Sequence, residues 1–174
     1  LARFEYGQLE LREIGRTMRL SQMKLVIAAA LLVLLAACGD SESAKKRLLE
    51  TGKKYFDKGK FTEASIIYRK AIQKDTRYGE AYYRLGLVEL RRGNYGEALR
   101  SLRRASELQL ENDDAHSKLG DLYLSIYLSD RVKHKTLLAD FQELADRILK
   151  RDPKSFVGLR MKGYLAVAAP NIKE

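Results

Sequence analysis

From about residue 44 onward, apolar residues recur at spacings of three and four, with charged residues between them. This spacing matches the turn of an α-helix and predicts amphipathic helices throughout. Two short polar stretches that contain glycine interrupt the pattern, DKGKF at 57–61 and RRGNY at 91–95. Glycine tolerates left-handed backbone, so each stretch is predicted to form the turn between two helices. The pattern therefore predicts an all-α fold of antiparallel helix pairs.

A repeated segment sets the order of these helices. Gly52, Gly86 and Gly120 lie 34 residues apart, and GKKYFDKGKFTEASIIYRKAIQKD aligns with GLVELRRGNYGEALRSLRRASELQ. Small residues recur where paired helices must approach closely, and large residues recur in the gaps between helices. The small positions include Ala64, Ala71, Ala98 and Ala105, and the large positions include Leu48, Tyr55, Tyr68, Tyr82 and Leu102. One such unit cannot bury its own apolar face, so neighbouring units are predicted to stack.

This pattern resembles the tetratricopeptide repeat (TPR), a helix pair with a period of about 34 residues. The resemblance covers residues 44–170 and implies a TPR α-solenoid with units at 45–78, 79–112 and 113–154. In the third unit an insertion near 125–137 is predicted to lengthen the first helix and form a loop near Ser129 to Lys135. The second helix of that unit is predicted to resume near Phe141.

A fourth unit, residues 155–174, contains the start of a further and truncated repeat. Its single helix is predicted to leave an apolar face uncovered, formed by Leu159, Gly163, Tyr164 and Val167. One interpretation is that the sequence is a fragment of a longer repeat protein. The other is that residues 157–169 are themselves the cap that ends the solenoid.

An apolar segment precedes the repeats. Every residue from Leu25 to Ala37 is apolar, and the basic residues Arg19 and Lys24 come before it. The run is shorter than the roughly 20 residues that a bilayer-spanning helix needs, and it fits the apolar region of a secretory signal. The sequence LAAC, which ends at the chain's only cysteine, Cys38, closely resembles the lipobox of bacterial lipoproteins. The alternative is an uncleaved signal anchor or a buried apolar helix.

The lipobox resemblance implies cleavage between Ala37 and Cys38 and attachment of lipid, with acyl chains such as palmitate, to Cys38. Residues 23–37 would then be the signal peptide and residues 38–44 a flexible tether, while residues 1–22 would be an over-extended upstream segment before Met23. More than one acyl chain gives firm membrane residence. In enterobacteria, Asp directly after the cysteine retains a lipoprotein at the inner membrane. Gly39 stands there, so the resemblance favours lipid anchoring at the outer membrane, facing the periplasm.

The chain is basic, with 33 Lys and Arg against 23 Asp and Glu and a formal net charge of +10 over 174 residues. Such an excess is compatible with nucleic acid, anionic lipid or an acidic polymer as a partner. The charges are interspersed rather than concentrated in one block, which favours a solvated helical surface. The export signal argues against nucleic acid, and the sequence leaves the oligomeric state open.

The sequence carries no recognisable catalytic motif. Neither histidine, His116 or His134, has another metal-binding side chain at ligand spacing within its element. Nucleophile motifs, phosphate-binding glycine loops and dinucleotide fingerprints are absent from the sequence. His116 is predicted to be a half-buried packing residue and His134 an exposed loop residue. We therefore expect no enzymatic activity, no cofactor and no metal.

The TPR resemblance implies that the first helices of the units line a groove that binds a protein or peptide. The implied groove residues are Lys46, Leu49, Lys53, Phe56, Asp57, Tyr83, Leu87, Leu90, Arg91, Ser117, Asp121, Leu124 and Ser125. Their mixture of aromatic, aliphatic and charged groups suits an extended peptide or a partner helix. The carboxylate clamp with which members of the family bind chaperone C-termini is not found in this sequence. The positions equivalent to the clamp residues hold Leu49 and Lys53, Arg84, and Asp114 and Lys118.

Two functions follow as expectations. The first is a lipid-anchored scaffold whose groove recruits protein partners in envelope assembly or secretion. The second is a module that binds an anionic envelope polymer, such as exopolysaccharide or peptidoglycan, through the tether and the cations Arg131, Lys133 and Lys135. Polymer binding should fall steeply with salt, whereas groove binding should depend on residues such as Phe56 and Leu87.

Overall fold

The structure, a computed structural model, describes residues 42–131 and 133–168. Within these residues every regular element is an α-helix, which confirms the predicted all-α fold. The described part of the first helix, α1, covers 42–57. The helices that follow are α2 (Phe61–Lys74), α3 (Gly79–Arg91), α4 (Tyr95–Leu108), α5 (Asp113–Ser129), α6 (Lys135–Arg151) and α7 (Phe156–Ala168). The predicted signal peptide, cleavage site and lipidated Cys38 lie outside the described residues.

The turns between α1 and α2 and between α3 and α4 are built in the same way. Gly59 and Gly93 have φ angles of +71° and +74°, in the left-handed region that favours glycine. The Gly59 N–H donates to the Phe56 carbonyl at 2.9 Å, and the Gly93 N–H donates to the Leu90 carbonyl at 3.2 Å. Both stretches, DKGKF and RRGNY, therefore form the helix-pair turns predicted from the sequence.

Each helix from α2 onward packs on the next one along the chain, and α5 also contacts α7. One apolar cluster joins α2 and α3 through Ala64, Tyr68, Leu85 and Val88, with α1 packed against it. A second cluster extends from α3 to α7. These contacts, within a unit or between successive units, are typical of a solenoid.

Glycines set the distance between the helices of a pair. A Cβ atom at Gly52 in α1 would come within 2.5 Å of the Tyr68 ring in α2. A Cβ atom at Gly86 in α3 would come within 2.6 Å of Leu102 Cγ in α4. Such separations are sterically forbidden, so any larger residue would force the helices apart. The predicted close approach at these glycines is confirmed.

Two boundaries differ from the sequence predictions. Residues 42–44 are helical, whereas the sequence predicts a flexible tether there. Lys45 Nζ donates a hydrogen bond to Asp75 Oδ2 at 2.7 Å and lies 4.9 Å from the centre of the Tyr78 ring, which holds the beginning of α1 against the segment that follows α2 in the same unit. Helix α6 begins at Lys135 rather than near Phe141, because its first turn already packs against the second apolar cluster.

The inserted segment thus lengthens both helices of the third unit. Helix α5 ends at Ser129 and α6 begins at Lys135, so the loop occupies the place predicted for it. Among the described residues, no helix combines the length and apolar character needed to cross a bilayer.

Candidate partner-binding groove

The predicted groove residues lie on α1, α3 and α5, where helical spacing puts each set on one side of its helix. We call these thirteen positions the first-helix face. It consists of Lys46, Leu49, Lys53, Phe56 and Asp57 on α1, Tyr83, Leu87, Leu90 and Arg91 on α3, and Ser117, Asp121, Leu124 and Ser125 on α5.

A cavity of about 70 Å³ lies where α1 and α3 meet on this face. It is lined by four of the predicted residues and by two others: Lys53, Phe56, Asp57, Leu87, Tyr68 and Arg84. Phe56 packs edge-to-face against Phe61, with ring centres 5.4 Å apart, which fixes one wall of the cavity. The cavity admits only a small group, such as the end of one aliphatic side chain.

Paired charges surround this cavity. Lys53 Nζ lies 2.6 Å from Asp57 Oδ2 on the same helix, and Arg84 Nε lies 2.6 Å from Glu80 Oε1. Beneath them, burial raises the pKa of Tyr68 to about 12, so its phenol is neutral at physiological pH. The bottom of the cavity is therefore uncharged, and each charged side chain at its edge is paired with one of opposite charge.

The middle of the first-helix face is more apolar. Leu87, Leu90 and Leu124 are half-buried, packing against the second apolar cluster while part of each side chain stays exposed. Tyr83 departs from the prediction, because only 9% of it is exposed and it belongs to the core. Tyr83 therefore packs beneath the first-helix face and is not one of its solvent-exposed residues.

Arg160 on α7 extends the face beyond α5, and it is not among the groove residues predicted from the sequence. Its Nη2 donates to Ser117 Oγ at 2.5 Å and to Asp121 Oδ1 at 3.2 Å. Its Nε is buried without a hydrogen-bond partner among the described residues. Arg160 stands three residues before Gly163, as Ser117 does before Gly120, so applying the repeat register to the fourth unit would have found it.

Within the described ranges, no three or more His, Cys, Asp or Glu side chains are grouped as a metal site. His116 is 1% exposed, more deeply buried than predicted, and its Nδ1 lies 3.8 Å from Oδ1 of Asp113, a carboxylate three residues earlier on the same helix that the sequence prediction did not pair with it. His134 precedes α6 and is half-buried rather than exposed.

The comparisons with known families agree with this architecture. The family model described as the TPR repeat matches residues 52–91 and, again, residues 86–126. The fold is a TPR α-solenoid. The two matches together run from the second half of α1 to the greater part of α5, and they include every residue of the first-helix face except Lys46 and Leu49. No curated protein matches the chain in sequence.

Solved TPR structures resemble the chain over most of its length. The first TPR of Spaghetti (RPAP3), bound to an HSP90 peptide, is 21% identical, with a TM-score of 0.55 over 72% of this chain and 95% of that one. The type III secretion translocator chaperone SycD of Yersinia enterocolitica is 11% identical, with a TM-score of 0.56 over 76% and 96%. PcrH, in complex with the chaperone binding region of PopD, is 17% identical, with a TM-score of 0.52 over 72% and 91%. These likenesses show the fold.

Proposed function

We propose that the first-helix face binds a segment of a partner protein and that the chain is a non-enzymatic scaffold in envelope assembly or secretion. The observation that carries this proposal is the cavity between α1 and α3. Its apolar walls, Phe56 and Leu87, can bury one anchoring side chain, while the paired charges at the rim stay solvated. Interfaces draw most of their binding energy from a few such buried anchors.

The neighbouring structures support protein binding as the class of function. Two of them hold a protein segment, an HSP90 peptide in one and the chaperone binding region of PopD in the other. A third is a chaperone for a secretion translocator. A TPR solenoid of this size can therefore accommodate a partner segment, and secretion is one process in which it does so.

Selection from a library of short displayed peptides tests this proposal without knowledge of the natural partner. The full chain is used for selection, and peptides are then screened against the Leu87→Lys variant. Leu87 is half-buried beside the cavity, so a lysine there introduces a charge without disturbing a fully buried site. We expect peptides with a recurring aliphatic anchor that the variant does not retain. Recovery of no peptide, or of peptides retained equally by the variant, would contradict the proposal.

We further propose that the chain is a lipoprotein held at the outer membrane through Cys38 and facing the periplasm. The support comes from the sequence: the apolar run from Leu25 to Ala37, the basic residues before it and the LAAC motif. A lipid anchor at one end leaves the helical units free to meet partners in the periplasm.

Expression from Met23 in a bacterium supplied with a labelled fatty acid tests the anchor. The wild-type chain should carry the label in the membrane fraction, and the Cys38→Ala variant should carry none. Fractionation of inner from outer membranes then tests the location. Absence of label on the wild-type chain would contradict lipidation and favour the signal anchor.

The exposed cations of the inserted loop favour a second candidate function, binding of an anionic envelope polymer. Arg131, Lys133 and Lys135 are exposed around the loop between α5 and α6. Co-sedimentation with peptidoglycan at rising salt distinguishes the candidates. Polymer binding should weaken steeply with salt and with neutralisation of the loop, and Leu87→Lys should leave it unchanged.

A further inference from the structure

A second cavity lies between α2 and α4, on the side of α3 that faces away from the first-helix face. Tyr82 and Leu85, three residues apart on one side of α3, form its bottom. Leu87 and Leu90 of the first-helix face lie on the other side of the same helix. We call this space, of about 360 Å³, the α2–α4 cavity. It is separate from the cavity of about 70 Å³ between α1 and α3.

The α2–α4 cavity has an apolar bottom and a polar edge. Leu85 is buried, while Tyr82 packs partly on the second apolar cluster and Ile72 partly on the first. The rest of the lining comes from α2 and α4: Arg69, Gln73, Glu97, Arg100 and Ser101. Sites that enclose small ligands have volumes from about 300 Å³, so this cavity can receive a whole aromatic side chain.

Two guanidinium groups at the edge of the cavity share one carboxylate. Arg69 Nη2 lies 3.0 Å from Glu97 Oε1, and Arg100 Nε donates to Glu97 Oε2 at 3.1 Å. Arg69 also lies 3.5 Å from the buried Glu89, whose own close partner is Arg92 at 2.9 Å. These five charged groups have a formal net charge of +1. The Arg100 side chain is 74% exposed, so positive charge is available to a ligand at the mouth of the cavity.

The following unit has an equivalent but smaller cavity between α4 and α6, of about 170 Å³. Arg103 stands 34 residues after Arg69, and its Nη2 donates to Asp140 Oδ2 at 2.8 Å, as Arg69 pairs with Glu97. In both units, therefore, an arginine of one second helix pairs with a carboxylate of the next. The pair holds the two helices on either side of each cavity.

The two cavities differ in the sign of their charge. Glu143 follows Asp140 by three residues, as Arg100 follows Glu97, so a carboxylate replaces a guanidinium group at the edge. The charged residues that line the cavity between α4 and α6 have a formal net charge of −1: Arg103, Arg147, Glu107, Asp140 and Glu143. The α2–α4 cavity is thus the one that favours an anionic ligand.

The charge of the helices agrees with this assignment. The second helices of the three units, α2, α4 and α6, have formal net charges of +2, +1 and +1. The first helices, α1, α3 and α5, have +2, 0 and −2. The excess positive charge of these six helices therefore lies on the second helices, and it attracts acidic partners to their side of the solenoid.

We propose that the α2–α4 cavity is a second protein-binding site, which takes an aromatic or large aliphatic side chain flanked by Asp or Glu in an acidic segment of a partner. The apolar side chain is buried against Tyr82, Leu85 and Ile72. A neighbouring carboxylate accepts charge-assisted hydrogen bonds from Arg100. An anionic polysaccharide would use the charge but not the apolar bottom, so an acidic peptide fits the cavity better. Since the site faces away from the first-helix face, the chain can hold two partners at once.

Selection from a library of short displayed peptides tests this proposal, with the full chain carrying Leu87→Lys as the target. That change disables the first-helix face if the function proposed for it is correct and is neutral here if it is not, so the two proposals are tested separately. Selected peptides are then titrated against the same chain with Arg100→Glu added. Arg100 is exposed, so the fold should be kept, as circular dichroism checks, while the net charge at the cavity changes sign. The control is Lys150→Glu, an equal change at an exposed position of α6 outside both linings.

We expect the selected peptides to share an aromatic or large aliphatic residue next to Asp or Glu. Arg100→Glu should weaken their binding by at least about tenfold, because the edge of the cavity then repels the acidic residues. Lys150→Glu should weaken it by less than about twofold, since solvent and salt screen a distant charge. Selection of no such peptide, or equal weakening by the two substitutions, would overturn the proposal.

Changes within one selected peptide test the apolar and the charged contacts separately. Replacement of its apolar residue by serine, and of its acidic residues by the corresponding amides, should each weaken binding at least about tenfold in a fluorescence anisotropy titration. Unchanged affinity after the serine replacement would show a charged surface that any anionic polymer can use, and would overturn the proposal. Unchanged affinity after the amide replacement would overturn it as well, because the charge of the cavity would then select nothing.

Discussion

The hydroxyl of Ser65 on α2 donates a 2.6 Å hydrogen bond to Oε1 of Glu89 on α3, whose side chain is fully buried. The same carboxylate accepts from Asn94 at 2.8 Å and from Arg92 at 2.9 Å, and Arg69 lies 3.5 Å away. A buried carboxylate costs free energy unless it is paired in this way. Glu89 therefore fastens α2 and α3 to the turn that leads into α4.

Replacement of Glu89 by glutamine should lower the free energy of unfolding of the full chain by about 2 kcal/mol, because hydrogen bonds to a buried charge are lost or weakened. Urea denaturation at neutral pH measures the change. The matched control is Glu107→Gln, since Glu107 is exposed and pairs with Arg104 at 2.9 Å. The control should change the unfolding free energy by less than about 0.5 kcal/mol.

The loss of unfolding free energy caused by Glu89→Gln should also depend on pH. Burial alone would raise the pKa of Glu89, but hydrogen bonds from Ser65 and Asn94 and the charge of Arg92 hold it below its usual value. A carboxyl whose pKa is lowered by folding stabilises above its unfolded pKa and loses that contribution as the pH falls through the folded pKa. The difference in unfolding free energy between the wild-type chain and the Glu89→Gln variant should decrease below about pH 4. A difference that stays constant down to pH 3 would contradict this assignment.

His116 should make the third unit sensitive to mild acid. Burial lowers its pKa, as do the charges of Arg151 and Arg147, while a hydrogen bond with the Ser106 backbone and the charge of Asp113 oppose the shift. As the pH falls, His116 therefore takes up its proton at a higher pH in the unfolded chain than in the folded chain. The free energy of unfolding then decreases as the pH falls below about 6.5. The wild-type chain should lose up to about 1.4 kcal/mol per pH unit more than His116→Gln between pH 6.5 and 5. Parallel pH profiles would contradict the prediction.

Two glycine-to-alanine substitutions should change the stability of the fold in opposite directions. Alanine at Gly86 would place its Cβ 2.6 Å from Leu102 Cγ, so the net loss of stability should be about 1–3 kcal/mol despite the better helix propensity. Alanine at Gly163 meets nothing within 4 Å and should gain up to about 1 kcal/mol. Thermal unfolding of both variants beside the wild type checks the contrast. A loss at Gly163 equal to that at Gly86 would show that α7 is covered.

Features repeated along the chain could be predicted from its sequence. Gly59 and Gly93 marked the turns because their spacing and polar neighbours recur, and Gly52 and Gly86 marked close contacts because small residues recur opposite large ones. Each of these features depends on local geometry. The same register placed the candidate groove residues on one side of α1, α3 and α5.

Features that depend on partners distant in sequence could not be predicted. Glu89 occupies a place where the third unit has Tyr123, and nothing local indicates that Ser65 would hydrogen-bond to its carboxylate. The repeat register predicts Tyr83 as a groove residue, but it is buried in the second apolar cluster, which extends from α3 to α7. Helix α6 begins earlier than predicted because its first turn packs against the second apolar cluster. The insertion interrupts the repeat, so the repeat pattern does not indicate this packing.

The central claim is that the cavity between α1 and α3 anchors a partner segment, and a titration of one selected peptide tests it most directly. Calorimetry would compare the wild-type chain with Leu87→Lys and with Leu110→Lys, a control at an exposed apolar residue outside the first-helix face. We predict that Leu87→Lys weakens binding by at least about tenfold, because it places a charge in the apolar wall that buries the partner's anchoring side chain, and that Leu110→Lys leaves the affinity unchanged. Equal affinities for the wild type and Leu87→Lys would contradict the claim.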